Sequence, residues 1–495
     1  MKDTSNQNTL QSPPDLPSAT SYFLHTGKRN RRRSELLSYH FVGVGGIGMS
    51  AIAQVLKEQG HTVSGSDRNY DNQITPQVFS RLISQGIPLY KQDGSHIHEN
   101  TDFVVVSSAI EEDNPEIKKA RIFHTTIIKR ADLLSKMFNH KYGIAVGGTN
   151  GKTTVSCMIS FILDYAGLSP TFLVGGCIKN YINERYLGNA KTGTSEIMVI
   201  EADESDGSII LYTPRISVLT NISKDHKPVE EITQMFDTFS QNTSETLIMN
   251  ADCPHLKRLP VKHRNIITYG LTNDAGVHAR NMVLKPFQST FSVDNQFFEI
   301  NLPGSYNVSN ALAAIAVARS LNISGNIIAD ALRQFNGVQR RMDIIGEVDG
   351  IKVIDDYAHN PEKVKAAIQT IKSGCRRIIA IFQPHGYGPA SFMKEEFIDA
   401  FIKTLSPHDF LFMPEIYYAG GTAKKTISSA DIIKQIQKSG KNACFIEQRD
   451  DSIPEILRLA TRDDCILVMG ARDYTLPEYC AKIVHGLMNR KTPLH

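Results

Sequence analysis

Eight consecutive residues, Gly147-Gly148-Thr149-Asn150-Gly151-Lys152-Thr153-Thr154, have the composition of a loop that cradles phosphate. Glycines let backbone N–H groups turn toward phosphate oxygens, and a helix starting directly behind them adds positive potential at its N-terminus. Lys152 would then reach the β- and γ-phosphates and the Thr153 hydroxyl would hold Mg²⁺, so a nucleoside triphosphate is the expected ligand. The first glycine of the general G-x-x-x-x-G-K-[ST] form falls on Val146, which makes this version one residue shorter. A glycine turn of purely structural use would leave the Lys-Thr-Thr ending unexplained.

Two polar clusters follow, each directly after an apolar run: Glu201-Ala202-Asp203-Glu204-Ser205-Asp206 and Asn221-Ile222-Ser223-Lys224-Asp225-His226. If those runs are strands of one parallel sheet, both clusters emerge at its carboxyl edge beside the phosphate loop. A carboxylate there can hold Mg²⁺ against ATP oxygens, and a neutral imidazole can hold a second metal. Taken singly, an acidic run is a solvated loop and an Asp-His pair a cap or a core hydrogen bond. Their joint position behind a phosphate loop points to metal binding.

Upstream, Gly43-Val44-Gly45-Gly46-Ile47-Gly48 keeps the G-x-G-x-x-G spacing, with Asp67 about twenty residues further on. This suits a dinucleotide, or any diphosphate at a helix N-terminus. A nicotinamide oxidoreductase is the competing reading, and it leaves Lys152 without a role.

These residues need scaffolds. The phosphate loop follows the apolar run Tyr142-Gly143-Ile144-Ala145-Val146 and precedes a helical pattern over 155–165. The same unit continues through Ile197-Met198-Val199-Ile200 and Ile216-Ser217-Val218-Leu219-Thr220-Asn221, and closes with a helical stretch over 310–321. The upstream glycine turn sits between His40-Phe41-Val42 and a helical pattern over 49–56. Thr62-Val63-Ser64-Gly65-Ser66-Asp67 and Phe103-Val104-Val105-Val106-Ser107-Ser108 then read as further strands. A third unit shows Ile351-Lys352-Val353-Ile354-Asp355-Asp356, Arg377-Ile378-Ile379-Ala380-Ile381-Phe382 and Cys465-Ile466-Leu467-Val468-Met469-Gly470 as buried strands. With 495 residues and roughly 100–200 per domain, about three α/β domains are expected. The spans are a basic, disordered tail at 1–37, a first domain at 38–140, a central one at 141–338 and a third at 339–495.

Lys+Arg number 54 and Asp+Glu 51, so no global field favours nucleic acid or an anionic membrane, and neither is expected as a partner. Seven scattered cysteines without a C-x-x-C pair read as reduced thiols. No apolar run is long enough to span a bilayer and the first segment lacks a signal-peptide core, so a cytoplasmic enzyme is expected.

With the three clusters in this order, residues 39–490 resemble the Mur ligases. Tyr39-His40-Phe41 through Ser50 looks like that family's UDP-binding turn. Val106-Ser107-Ser108-Ala109-Ile110, Asn114-Pro115-Glu116 and Arg130-Ala131-Asp132-Leu133-Leu134 look like its following segments. Leu302-Pro303-Gly304, Asn310-Ala311-Leu312, Arg340-Arg341, Asp355-Asp356-Tyr357-Ala358-His359-Asn360-Pro361 and Phe382-Gln383-Pro384-His385 extend the likeness. The resemblance implies a three-domain α/β architecture: a Rossmann-like UDP-binding domain, a P-loop ATPase-like central domain and a Rossmann-like C-terminal domain. It implies that Gly45, Gly46, Ile47, Gly48, Met49, Ser66, Asp67, Ser107 and Ser108 bind the UDP substrate. Gly148, Thr149, Asn150, Gly151, Lys152, Thr153, Thr154, Asn310, Arg341 and Asp356 would bind ATP. Thr153, Glu201 and His226 would hold metal, with Lys152, Glu201, His226 and His359 at the chemistry. The implied reaction is ATP-dependent, with Mg²⁺. An amino acid, L-alanine foremost, joins the carboxylate of UDP-N-acetylmuramate through an acyl phosphate, releasing ADP and phosphate in peptidoglycan precursor synthesis. A monomer or weak homodimer is expected.

Some positions depart from the alanine-adding members. Asn150, Tyr306 and Asn360 stand where His is usual, and Gly386 where Arg is usual, in the run Gln383-Pro384-His385-Gly386-Tyr387-Gly388. Asn150 and the Tyr-Ala-His-Asn-Pro run look instead like ligases that add the third stem residue or build poly-amino acids. A missing guanidinium removes a bidentate partner for phosphate or carboxylate, so that contact is altered or supplied elsewhere. A paralogue adding another amino acid or a peptide stays open as an alternative. So does a non-catalytic nucleotide-binding relative, which Gly386 and Gly388 favour and the intact Lys152, Glu201, His226 and Asp356 oppose.

Overall fold

The computed structural model describes residues 36–490 apart from 75, 109, 224–226, 273 and 419–424. All but the last two residues of the expected tail, and His226, lie outside the described residues. Short β-branched runs alternating with helices give four sheets among the described residues.

The first sheet orders Leu89–Tyr90, Thr62–Ser66, Ser38–Val42, Phe103–Val106 and Thr126–Lys129, all parallel. Strand order reverses beside Ser38–Val42, and the glycine turn leaves from its carboxyl end, where open α/β sheets bind ligands.

The second sheet orders Val277–His278, Ile266–Gly270, Thr246–Asn250, Ile216–Leu219, Tyr142–Gly147, Ile197–Glu201, Thr171–Leu173 and Ala190–Lys191, with only the last strand antiparallel. The phosphate-loop strand is thus flanked by the two strands that carry the polar clusters. Val146 pairs with Glu201 and Gly147 with Leu219, so both clusters leave the sheet level with the loop. Behind the sheet, helix Lys152–Tyr165 packs on helix Ser305–Ser320, whose residues 310–318 are all buried. A helix apolar on every side is stable only inside a core, and Ala311, Ala313, Ala314, Ala316 and Ala318 let its neighbours approach closely.

A three-stranded antiparallel sheet, Arg280–Lys285, Gln288–Val293 and Gln296–Ile300, is an addition to the second unit that the sequence reading did not contain. The last sheet orders Asp343–Val348, Ile351–Asp356, Asp464–Gly470, Arg377–Gln383, Phe410–Pro414 and Asn442–Ile446, with Asp343–Val348 antiparallel. Among the described residues no helix is long and apolar enough to cross a membrane, and the seven cysteines are unbridged.

Candidate active site

The phosphate loop joins strand Tyr142–Gly147 to helix Lys152–Tyr165, and two of its glycines cannot be replaced without movement. Gly148 has φ +139°, and a Cβ there would lie 1.8 Å from the Thr220 hydroxyl oxygen. Gly151 has φ +87°, and its Cβ would lie 2.6 Å from Asn310 Oδ1. The end of strand Ile216–Leu219 clamps the loop. Asn221 Oδ1 accepts from the Asn150 N–H at 2.9 Å, Asn221 Nδ2 donates to the Asn150 carbonyl at 2.9 Å, and the Thr220 hydroxyl donates to the same carbonyl at 2.6 Å.

Lys152 Nζ donates to the Gly148 carbonyl and to Glu204, both at 2.7 Å. Burial alone would lower this ammonium's pKa, but Glu204, Glu201 and Asp203 outweigh it and hold the group above the ordinary lysine value. Burial also raises the Glu204 carboxyl, against the pull of Lys152. One Glu201 oxygen accepts from the Gly175 N–H at 3.1 Å, and a Cβ at Gly175 would stand 2.2 Å from that oxygen.

On the first domain's side, Asp67 ties the glycine turn down. Its carboxylate accepts from the Gly45 N–H at 2.9 Å and from the Asn69 N–H at 2.8 Å, capping helix Arg68–Asp71. Burial, the largest influence, raises its pKa. Gly45, Gly46, Ile47, Gly48, Asp67 and Ser107 line the cavity. Three expected substrate-binding residues do not. Met49 belongs to the apolar core, the buried Ser66 hydroxyl donates to Glu116, itself paired with His40 at 2.9 Å, and Ser108 is exposed outside the lining.

The third domain closes the other wall. Arg341 donates to the Thr153 hydroxyl at 3.4 Å, and its guanidinium lies 4.9 Å from the Tyr357 ring centre. Asp356 accepts from the Met342 and Ala358 N–H groups, both at 2.8 Å, and burial raises its carboxyl. His359 contacts the Tyr357 carbonyl through Nδ1 at 2.9 Å and lies 5.7 Å, centre to centre, from the His385 ring. Beneath them Asp355 is fully buried 3.3 Å from Arg340, and burial pushes its pKa up to about 7 against that arginine's pull.

One cavity of about 1470 Å³ joins these parts, lined by the glycine turn, the phosphate loop, Glu201, Asn310, Tyr306, Arg341, Asp356, His359 and His385. It therefore brings together the described residues expected at ATP, metal or chemistry except Gly148, which lies behind the lining against Thr220. Among the described residues no group of three or more His, Cys, Asp or Glu side chains could hold a metal unaided. Thr153 and Glu201 offer hard oxygens that suit Mg²⁺ in company with phosphate oxygens. Sequence reasoning assigned no role to Glu204 or Asn221, although both stand in the clusters that drew attention.

Three family profiles match in chain order: "Mur ligase family, catalytic domain" over residues 38–142, "Mur ligase middle domain" over 146–318 and "Mur ligase, glutamate ligase domain" over 340–472. A UDP-N-acetylmuramate–L-alanine ligase of Geobacter sp. (strain M21) is 36% identical over 450 residues, covering 87% of this chain and 94% of that protein. Its counterpart in Aquifex aeolicus (strain VF5) is 35% identical over 454 residues, covering 89% and 96%. Among solved structures, the UDP-N-acetylmuramate-alanine ligase of Thermotoga maritima superposes with TM-score 0.75 at 27% identity, over 91% of this chain and 98% of that one. A murein peptide ligase of Psychrobacter arcticus gives 0.66 at 25% identity, over 92% and 100%.

Proposed function

This chain belongs to the Mur ligase family, and we propose that it is an ATP-dependent ligase joining L-alanine to the carboxylate of UDP-N-acetylmuramate. The observation that carries this reading is the single cavity onto which a diphosphate-type turn, a phosphate loop and the third domain's Asp356, His359 and His385 all open. The alanine-adding relatives at 35–36% identity support the choice of substrates.

The chemistry couples two anions. The sugar carboxylate attacks the γ-phosphorus of ATP, ADP leaves, and an acyl phosphate remains. The amino acid's amine then attacks the acyl carbon, phosphate leaves with the C–O electrons, and the amine gives up a proton. Charge neutralisation and positioning carry most of the first step. Lys152, kept charged by its acidic neighbours, exchanges its contact with the Gly148 carbonyl for phosphate oxygens. Backbone N–H groups of the loop, fixed by Asn221 and Thr220, receive the β-phosphate. Thr153 and Glu201 would hold Mg²⁺, which would supply positive charge to offset that of the phosphates. His359, steadied by the Tyr357 carbonyl, supplies a base for the amine's proton. Walls from all three domains keep water from the acyl phosphate.

The test is phosphate release from ATP with UDP-N-acetylmuramate, screened across single amino acids. Turnover with alanine alone is expected, and Lys152→Ala should lower kcat on the order of a thousandfold. Near-normal turnover of that variant would remove the phosphate loop from the reaction.

A second reading, a paralogue taking another amino acid or a peptide, is favoured by Gly386. Its φ of +71° suits glycine, and a Cβ there would meet Pro389 at 3.3 Å, so this turn carries no guanidinium. Turnover with a different amino acid or with a peptide in the same screen would select it.

A further inference from the structure

We propose that Arg472 binds the carboxylate of the incoming amino acid and so acts as a specificity-determining residue; the inference rests on the ligase reading above. Strand Asp464–Gly470 is buried along its whole length. It pairs in parallel with Arg377–Gln383, the last pair being Gln383 with Gly470. His385 and Arg472 each follow that pair by two residues, so they leave neighbouring strands at the carboxyl edge of the sheet. Both line the cavity.

Three arginines of the third domain face this cavity, and two are already engaged. Arg340 is buried and donates to the Gly470 carbonyl at 2.7 Å and the Asp473 carbonyl at 3.2 Å, beside Asp355. Arg341 is held by Thr153 and by the Tyr357 ring. Arg472 is exposed, and no hydrogen bond or ion pair joins its guanidinium to another described residue.

Its backbone is built to present it. Arg472 has φ +58°, a conformation that an L side chain adopts only at a cost. The flanking chain enforces it: the Asp473 N–H donates to the Ala471 carbonyl at 2.7 Å. Asp473 is buried, accepts from the Thr475 N–H at 2.9 Å and pairs with Arg449. Glycine would fit this turn without strain, yet an arginine stands there, aimed at the cavity.

Three kinds of anion enter such a site. The phosphates of ATP are served by Lys152 and the loop, and the UDP diphosphate by the turn at Gly45 to Gly48. The amino acid's carboxylate needs its own cation on the wall that also carries His359 and His385, so that the amine points toward the acyl carbon. A guanidinium matches a carboxylate in a bidentate fork, and Gly386, one residue beyond His385, brings no side chain.

The experiment varies each substrate in turn for the parent chain and for Arg472→Ala, Arg472→Gly and Arg472→Lys, using the amino acid the parent turns over best and its carboxamide. Arg472→Ala and Arg472→Gly should raise the KM for the amino acid roughly tenfold or more, as expected for a lost charged hydrogen-bond pair. The KM values for ATP and for UDP-N-acetylmuramate should hold, and the preference for the acid over the carboxamide should collapse. Arg472→Lys should recover part of both. Arg472→Gly should melt no lower than the parent, which a merely structural arginine would not allow. A rise in the ATP or UDP-substrate KM instead, or an intact preference for the acid, would overturn the inference while leaving the ligase reading in place. A parent chain that releases no phosphate with any amino acid would overturn both.

Discussion

Asp355 is fully buried, and the acidic Asp343 and Asp356 lie close enough to raise its pKa further once burial has done most of the work. Its ordinary value is 3.8 and its folded value about 7. Between those limits the folded protein keeps a proton that the unfolded chain has released, so stability falls as pH rises through this window and levels off above it. Asp355→Asn cannot ionise, and Arg340 retains its Gly470 and Asp473 carbonyl acceptors. Melting temperatures of the two proteins, followed from about pH 5 to about pH 8, should therefore diverge in the variant's favour up to neutrality and run parallel beyond it. A gap that does not change with pH would mean that Asp355 is already ionised in the fold. In the sequence Asp355 and Asp356 look alike, yet one is fully buried against Arg340 while the other accepts two N–H groups at the cavity. A doubled acid shows its type and leaves its environment to the sheet, where successive residues face opposite sides.

The ends of strands do most of the positioning at the next scale. Asn221 follows strand Ile216–Leu219 by two residues and bonds both the N–H and the carbonyl of Asn150 at 2.9 Å. Asn221→Ala should loosen the loop while leaving its sequence intact, raising the KM for ATP about thirtyfold for two hydrogen bonds of roughly 1 kcal/mol each. An unchanged ATP KM would show that Thr220 alone suffices. The parallel strands around the loop were legible because buried parallel strands read as continuous apolar runs ending in polar clusters. That pattern placed Glu201 correctly at the edge, though not the Glu204 contact with Lys152, since the turn after Glu201 decides which carboxylate points inward. Strands Arg280–Lys285, Gln288–Val293 and Gln296–Ile300 were not legible. The first is exposed throughout and the second alternates buried with half-buried residues, so neither presents a continuous apolar run. Met49 misled for a related reason: it adjoins the glycine turn in sequence, but its helix turns it into the core.

Across the whole molecule, the cavity exists only because three domains are held around it; one apolar core is shared by the first two, and specific polar contacts are added to it. Arg130 pairs with Asp206 at 2.9 Å between the first two domains, and Gln54 donates to Asn189 at 2.9 Å beside it. Between the second and third, Lys179 reaches Asp343 at 2.6 Å across 164 residues of sequence. No periodicity encodes such a pair, which is why the domains could be read from the chain while their mutual arrangement could not. Asp343 is buried and also accepts from the Arg340 N–H at 3.2 Å, so the Lys179 contact fixes the start of the strand that leads the third domain. Lys179 itself does not line the cavity. Lys179→Ala should thus leave the equilibrium affinity for ATP within about twofold and lower kcat several-fold, because closing the third domain over the acyl phosphate is the step it supports. Calorimetry of ATP binding beside steady-state kcat separates the two effects. If affinity falls in proportion to kcat, Lys179 serves the nucleotide pocket rather than closure, and if neither moves, the salt bridge is incidental to the arrangement of the domains.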